Sequence, residues 1–145
     1  MGAQFDPTMI TLQIVAMQCL YYAVLGLLLG MLRSLWGLDL SLDALFHARL
    51  INVGTAEGWI QIMSLLACAP VGSLLLCIVV ERAKKCLDFT ATLHLLHLLF
   101  CTYHSGFPLH WDYWAATGTS FVAMVLLGEF LCSRRELQDI PVLSI

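Results

Sequence analysis

Apolar residues gather into four long runs along this chain, at residues 9–32, 59–80, 88–107 and 113–133, and the short segments between them carry nearly all the charge. A helix rising about 1.5 Å per residue crosses ~30 Å of hydrocarbon in roughly 20 residues, and each run meets that length or comes close. The pattern predicts an all-α polytopic membrane protein, with four transmembrane helices in one bundle. Two runs are clean, whereas the third contains His94, His97 and His104 and the fourth contains Glu129. Those two must shelter polar groups inside the bundle. The longest connector, 33–58, has only 26 residues, so residues 1–145 are expected to form a single transmembrane domain ending in a short tail, 134–145.

Composition agrees with a lipid solvent: 60% of residues are hydrophobic and 12% charged, against roughly 25% charged in a soluble domain. No basic stripe interleaved with aromatics suggests nucleic acid. The first run is too long for a signal-peptide core and lacks a positive flank before it, so it is expected to stay as a span. The start resembles a myristoylation site, but Asp6 stands where Ser or Thr is required. In a four-span chain both ends share a side with the 81–87 link. That side holds Arg82, Lys84, Lys85, Arg134 and Arg135 against Arg33 and Arg49 opposite, and an excess of Lys and Arg marks the cytosolic side. Trp36, Trp59, Trp111 and Trp114 all fall on the other side, where indole rings sit at headgroup depth. None of the six cysteines lies in a lumenal segment on this topology, which argues against a disulfide framework. Cys86 and Cys132, at the cytosolic boundary, are open either to palmitoylation or to service as small apolar residues.

Gly26 and Gly30 in the first span, and Ala115, Thr119 and Ala123 in the fourth, repeat every four residues and read as seams for close helix packing, within this bundle or in a homo-oligomer. Gln13 and Gln18 need partners. Pro70 removes a hydrogen bond inside the second span, and Ser64 or Ser73 is placed to satisfy the freed carbonyl. In the first lumenal connector Leu38, Leu42, Leu45, Phe46 and Leu50 follow helical spacing, predicting a short helix capped by Asp39 or Ser41 that covers the end of the bundle.

The third span carries the one constellation with chemical potential. Thr90, His94, His97, Cys101 and His104 are spaced 4, 3, 4 and 3, which puts all five on one inward face. A hydrogen-bonded polar seam, a proton or ion pathway and a metal site all fit those residue types. A ladder on a single helix lacks ligands converging from elsewhere, so no metal and no cofactor is expected. Asp88 and Glu129 sit at similar depth near the cytosolic boundary, where Lys84, Lys85 and Arg134 are expected to neutralise them. No nucleophile elbow, phosphate loop or metalloprotease motif accompanies these carboxylates, which argues against an enzyme.

The run from Lys85-Cys86-Leu87-Asp88-Phe89-Thr90 through His94-Leu95-Leu96-His97-Leu98-Leu99 resembles a signature of the Sys family of four-span Golgi membrane proteins. Gly128-Glu129-Phe130-Leu131-Cys132, Arg135-Glu136-Leu137, Ile140-Pro141 and Asp6-Pro7 are similar to that family as well. The resemblance implies a docking receptor of the trans-Golgi membrane that recruits an Arf-related small GTPase with an acetylated N-terminus, in support of endosome-to-Golgi and Golgi vesicle traffic. The family supplies no contact map. From the residues, a groove between the third and fourth spans at Cys86, Leu87, Phe89, Phe130 and Leu131 is expected to receive the GTPase, with Lys84, Lys85, Arg134 and Arg135 also holding anionic membrane lipids. The alternative is a small proton- or metal-coupled transporter or channel subunit using the His-lined face of the third span.

Overall fold

The computed structural model describes residues 6–139. It is all-α, with no strand among the described residues: four helices, α1 (Pro7–Leu35), α2 (Ala56–Val79), α3 (Cys86–Ser105) and α4 (Trp111–Asp139), are each long and apolar enough to cross a membrane. Helices α1 and α4 have 29 residues each, or about 43 Å at 1.5 Å per residue, well beyond the ~30 Å of hydrocarbon. The polar flanks explain the excess. Asp6 caps α1 by accepting from the backbone N–H of Thr8 at 3.0 Å and Met9 at 3.3 Å, and Pro7 suits the first helical position. Gly37, at φ 69°, closes the other end with backbone bonds from Gly37 to Ser34 and from Leu38 to Arg33, the paired arrangement that satisfies terminal carbonyls.

Packing follows the distribution of small residues. On α1 the buried positions Met17, Tyr21, Leu25, Leu29 and Arg33 recur every fourth residue, giving a single narrow stripe. Helix α2 lies between α1 and α4 and packs extensively against both. Its small residues allow this: a Cβ at Gly72 would sit 2.9 Å from Met124 Cε, and one at Gly128 of α4 would sit 2.9 Å from Leu76 Cδ1. Ser73 Oγ bridges the same seam, donating to Ala69 O (2.9 Å) or Met124 O (3.2 Å). Ser64 donates to Ile60 O at 2.8 Å. Neither serine reaches the Leu66 carbonyl freed by Pro70, contrary to expectation, because each hydroxyl finds its own i−4 carbonyl first. Of the α4 stripe, Ala115 and Thr119 are exposed and seal nothing inside the bundle, whereas Ala123 packs against its core.

At one end of the bundle, the loop face, the connector forms two 3₁₀ turns, Leu42–Leu45 and Ala48–Leu50, in place of one α-helix. Ser41 caps the first by accepting from Asp43 N–H at 3.2 Å, and His47 interrupts the run before a longer helix can form. The connector covers the bundle: Ala44 packs with Leu29 and Ile60, and Leu45 and Leu40 lie 3.7 and 3.6 Å from where Gly26 and Gly30 would carry a Cβ. The Gly26 and Gly30 seam thus receives this loop. Arg33, with its side chain 8% exposed, ties α1 to α2 through a 2.6 Å contact with Glu57 and donates from Nε to Asp39 O at 2.9 Å. Both described ends of the chain and the short 3₁₀ link Ala83–Lys85 lie together at the opposite, terminal face.

Candidate functional site

Four members of the expected ladder are buried on α3: Thr90, His94, His97 and Cys101. His97 is held at both ring nitrogens, with Tyr22 Oη 3.1 Å from Nδ1 and Cys101 Sγ 3.5 Å from Nε2. His94 donates from Nδ1 to Thr90 O at 3.0 Å, its ring packed between Tyr21 and Phe121 at centroid distances of 6.2 and 5.4 Å. These partners come from α1, α4 and α3 itself, so the ladder knits three helices together. Gln13 of α1 reaches α2, donating to Val79 O at 3.0 Å, whereas the Gln18 amide, Thr90 Oγ1 and His94 Nε2 are buried without a protein partner. Toward the loop face a cavity of about 20 Å³, room for one water, is bordered by Gln61, His97, Cys101 and Tyr113.

His104 does not belong to this row. Its side chain is 38% exposed and lies 3.7 Å from Asp43 of the connector, because the last turn of α3 rises past the bundle to meet the loop. Among the described residues no three metal-ligating side chains gather. The expected pairing of Asp88 and Glu129 with Lys84, Lys85 or Arg134 is also absent among the described ion pairs. Asp88 is exposed and Glu129 half-buried. Arg135 instead pairs with Glu81 at 3.8 Å and donates to Cys77 O at 2.9 Å, satisfying a terminal carbonyl of α2. Glu136 Oε1 accepts from Ala83 N–H at 3.2 Å.

The terminal face has a different shape from the groove expected between α3 and α4. Cys86 and Cys132 are fully buried with their sulfurs 3.5 Å apart, closed against each other and out of reach of a palmitoylating enzyme. Phe89 is 7% exposed and borders a groove of about 170 Å³ between α1 and α3, with Ile10, Ile14, Lys85, Asp88 and Thr92. Lys85 also borders a polar cleft of about 520 Å³ with Glu81, Arg82, Lys84, Arg135 and Glu136. Leu87 and Phe130 are exposed, and Leu131 is half-buried. Arg134 lies over the Phe130 ring, Cζ 5.7 Å from its centroid, and Leu137 is exposed one turn further along α4.

A family model described as an integral membrane protein linked to the trans-Golgi network matches residues 2–142. The chain belongs to the SYS1 family. A Dictyostelium discoideum protein named as a SYS1 homolog is 39% identical over 138 residues, covering 95% of this chain and 60% of its own length. A Nematostella vectensis protein of the same name is 35% identical over 138 residues, covering 95% and 88%. The chain thus spans less than two thirds of the Dictyostelium relative. No solved structure matches it. As a SYS1-family member it is a multi-pass integral membrane protein of the Golgi. The two segments that carried the resemblance touch each other: a Cβ at Gly128 would lie 3.6 Å from Cys86 Sγ, and Cys86 meets Cys132. The pieces of the resemblance at Ile140 and Pro141, and residues 1–5, lie outside the described residues.

Proposed function

We propose that this SYS1-family protein is a docking receptor that brings an Arf-related small GTPase with an acetylated N-terminus to the trans-Golgi membrane, with its terminal face toward the cytosol. One observation carries the choice of surface. Phe130, Arg134 and Leu137, spaced i, i+4 and i+7, share one exposed face of α4. With Trp114 at headgroup depth on the loop face, about 20 residues of α4 fill the hydrocarbon and those beyond roughly Arg134 stand clear of it. The result is an apolar and cationic ridge at the membrane surface, on a terminal face where Leu87 and Lys84 are exposed as well. An amphipathic helix whose amino group is acetylated has lost its terminal charge, so it can lie in the interface with its apolar face against such a ridge.

The ridge replaces the α3–α4 groove as the contact surface, and Arg135, engaged with Cys77 O and Glu81, is assigned to the fold. Phe130→Ser combined with Leu137→Ser, and separately Arg134→Glu, should each lower capture of the acetylated GTPase by receptor-containing vesicles about tenfold, as loss of a central interface anchor does. Unchanged capture by the Phe130 and Leu137 double variant, with receptor stability intact, would overturn the assignment.

A further inference from the structure

The polar cleft and the α1–α3 groove meet at Lys85, which borders both. We propose that together they bind one phosphatidylserine molecule, its headgroup in the cleft and an acyl chain along Ile10, Ile14 and Phe89. The groove is mostly apolar and lies between two membrane-crossing helices, so a lipid tail is the ligand its surroundings supply. Charge selects the head. Arg135 and Glu81 pair with each other; the remaining charged groups around the two cavities are Arg82, Lys84 and Lys85 against Asp88 and Glu136, three cations less two carboxylates, or net +1. Among the described residues no carboxylate pairs with Arg82, Lys84 or Lys85.

Phosphatidylserine carries a phosphate, a carboxylate and an ammonium, a net charge of about −1 that offsets the net +1 of the site, while Glu136 stays engaged with the Ala83 N–H. Lys84 and Lys85 take the phosphate and Arg82 the serine carboxylate, while Asp88 accepts from the ammonium. A phosphoinositide has several phosphates and no cation, so it would press negative charge against Asp88 and Glu136. Phosphatidylcholine and phosphatidylethanolamine leave Arg82 without a carboxylate.

The test is lipid retention by the full chain. Detergent-purified protein is exposed to equal mixtures of phosphatidylserine, phosphatidylcholine, phosphatidylethanolamine and a monophosphorylated phosphoinositide, and bound lipid is read by native mass spectrometry. Wild type should retain phosphatidylserine about tenfold over phosphatidylcholine, and the Lys84→Gln, Lys85→Gln double variant should lose that preference. The surface variant Asp88→Asn, which leaves the cations in place, should weaken phosphatidylserine and strengthen the phosphoinositide. The proposal fails if the phosphoinositide binds as well as or better than phosphatidylserine in wild type, or if Asp88→Asn leaves phosphatidylserine retention unchanged. Either result would reduce the face to an unselective basic rim.

Discussion

Removing the two partners of the Arg33–Glu57 pair should have unequal costs. Arg33 is enclosed, its side chain 8% exposed, whereas Glu57 is 36% exposed and within reach of headgroups and water. Breaking a fully buried pair by deleting one member costs about 3–5 kcal/mol, because the other is stranded. Glu57→Ala strands Arg33, which keeps only its bond to Asp39 O, and it also removes the acidic residue from the first turn of α2. With part of the pair already solvated, roughly 2 kcal/mol is expected. Arg33→Met instead leaves Glu57 and Asp39 O where water can reach them and fills the space with an apolar chain, so the loss should be about 1 kcal/mol or less. Four cysteines, Cys68, Cys86, Cys101 and Cys132, are at most 1% exposed and report unfolding when a thiol-reactive fluorophore is present during heating. At about 2–4 °C per kcal/mol for a chain of this size, Glu57→Ala should lower the transition by about 4–8 °C and Arg33→Met by less than half of that. An equal or larger shift for Arg33→Met would refute the reasoning, since it would mean that the energy lies in the charge of Arg33 and not in the cost of leaving it alone.

Two other experiments probe the packing with the same thermal readout. A Cβ at Gly58 would meet Asn52 O at 1.8 Å, a backbone atom that cannot swing away, so Gly58→Ala should destabilise by at least about 2 kcal/mol; an unchanged transition would count against the observed entry into α2. In the seam, a double-mutant cycle of Tyr22→Phe and His97→Leu should show a coupling of about 1 kcal/mol, the worth of the hydrogen bond between them, and strictly additive losses would deny that contact.

Hydropathy marked where four helices cross the lipid, because that solvent admits only backbone that bonds to itself. It did not mark where they end. Asp6 and Pro7 start α1 before its apolar run begins, and α4 continues through a mainly polar stretch from Ser133 to Asp139, since capping and helix propensity act outside the hydrocarbon as well. Periodicity identified Thr90, His94, His97 and Cys101 as one inward face but extended it wrongly to His104, where a connector replaces helix neighbours. Tyr22 was out of reach of the sequence, being 75 positions from His97 and set by helix packing alone. Arg33 read as an ordinary flanking charge, because its burial depends on a loop whose two 3₁₀ turns no period announces. On the terminal face the sequence did not show which way the side chains turn: Cys86 and Phe89 turn inward while Leu87 and Phe130 turn out, and which interhelical gap stays open depends on Gly128 admitting Leu76 and Cys86.

The proposed docking role rests on discrimination by a single acetyl group. Vesicles carrying the full chain should be mixed with the Arf-related GTPase in acetylated and unacetylated forms, and the protein that floats with the membrane measured. The acetylated form should be recovered on receptor vesicles well above receptor-free ones, while the unacetylated form stays at the receptor-free level. Equal recovery of both forms, or recovery that does not depend on the receptor, would contradict the account.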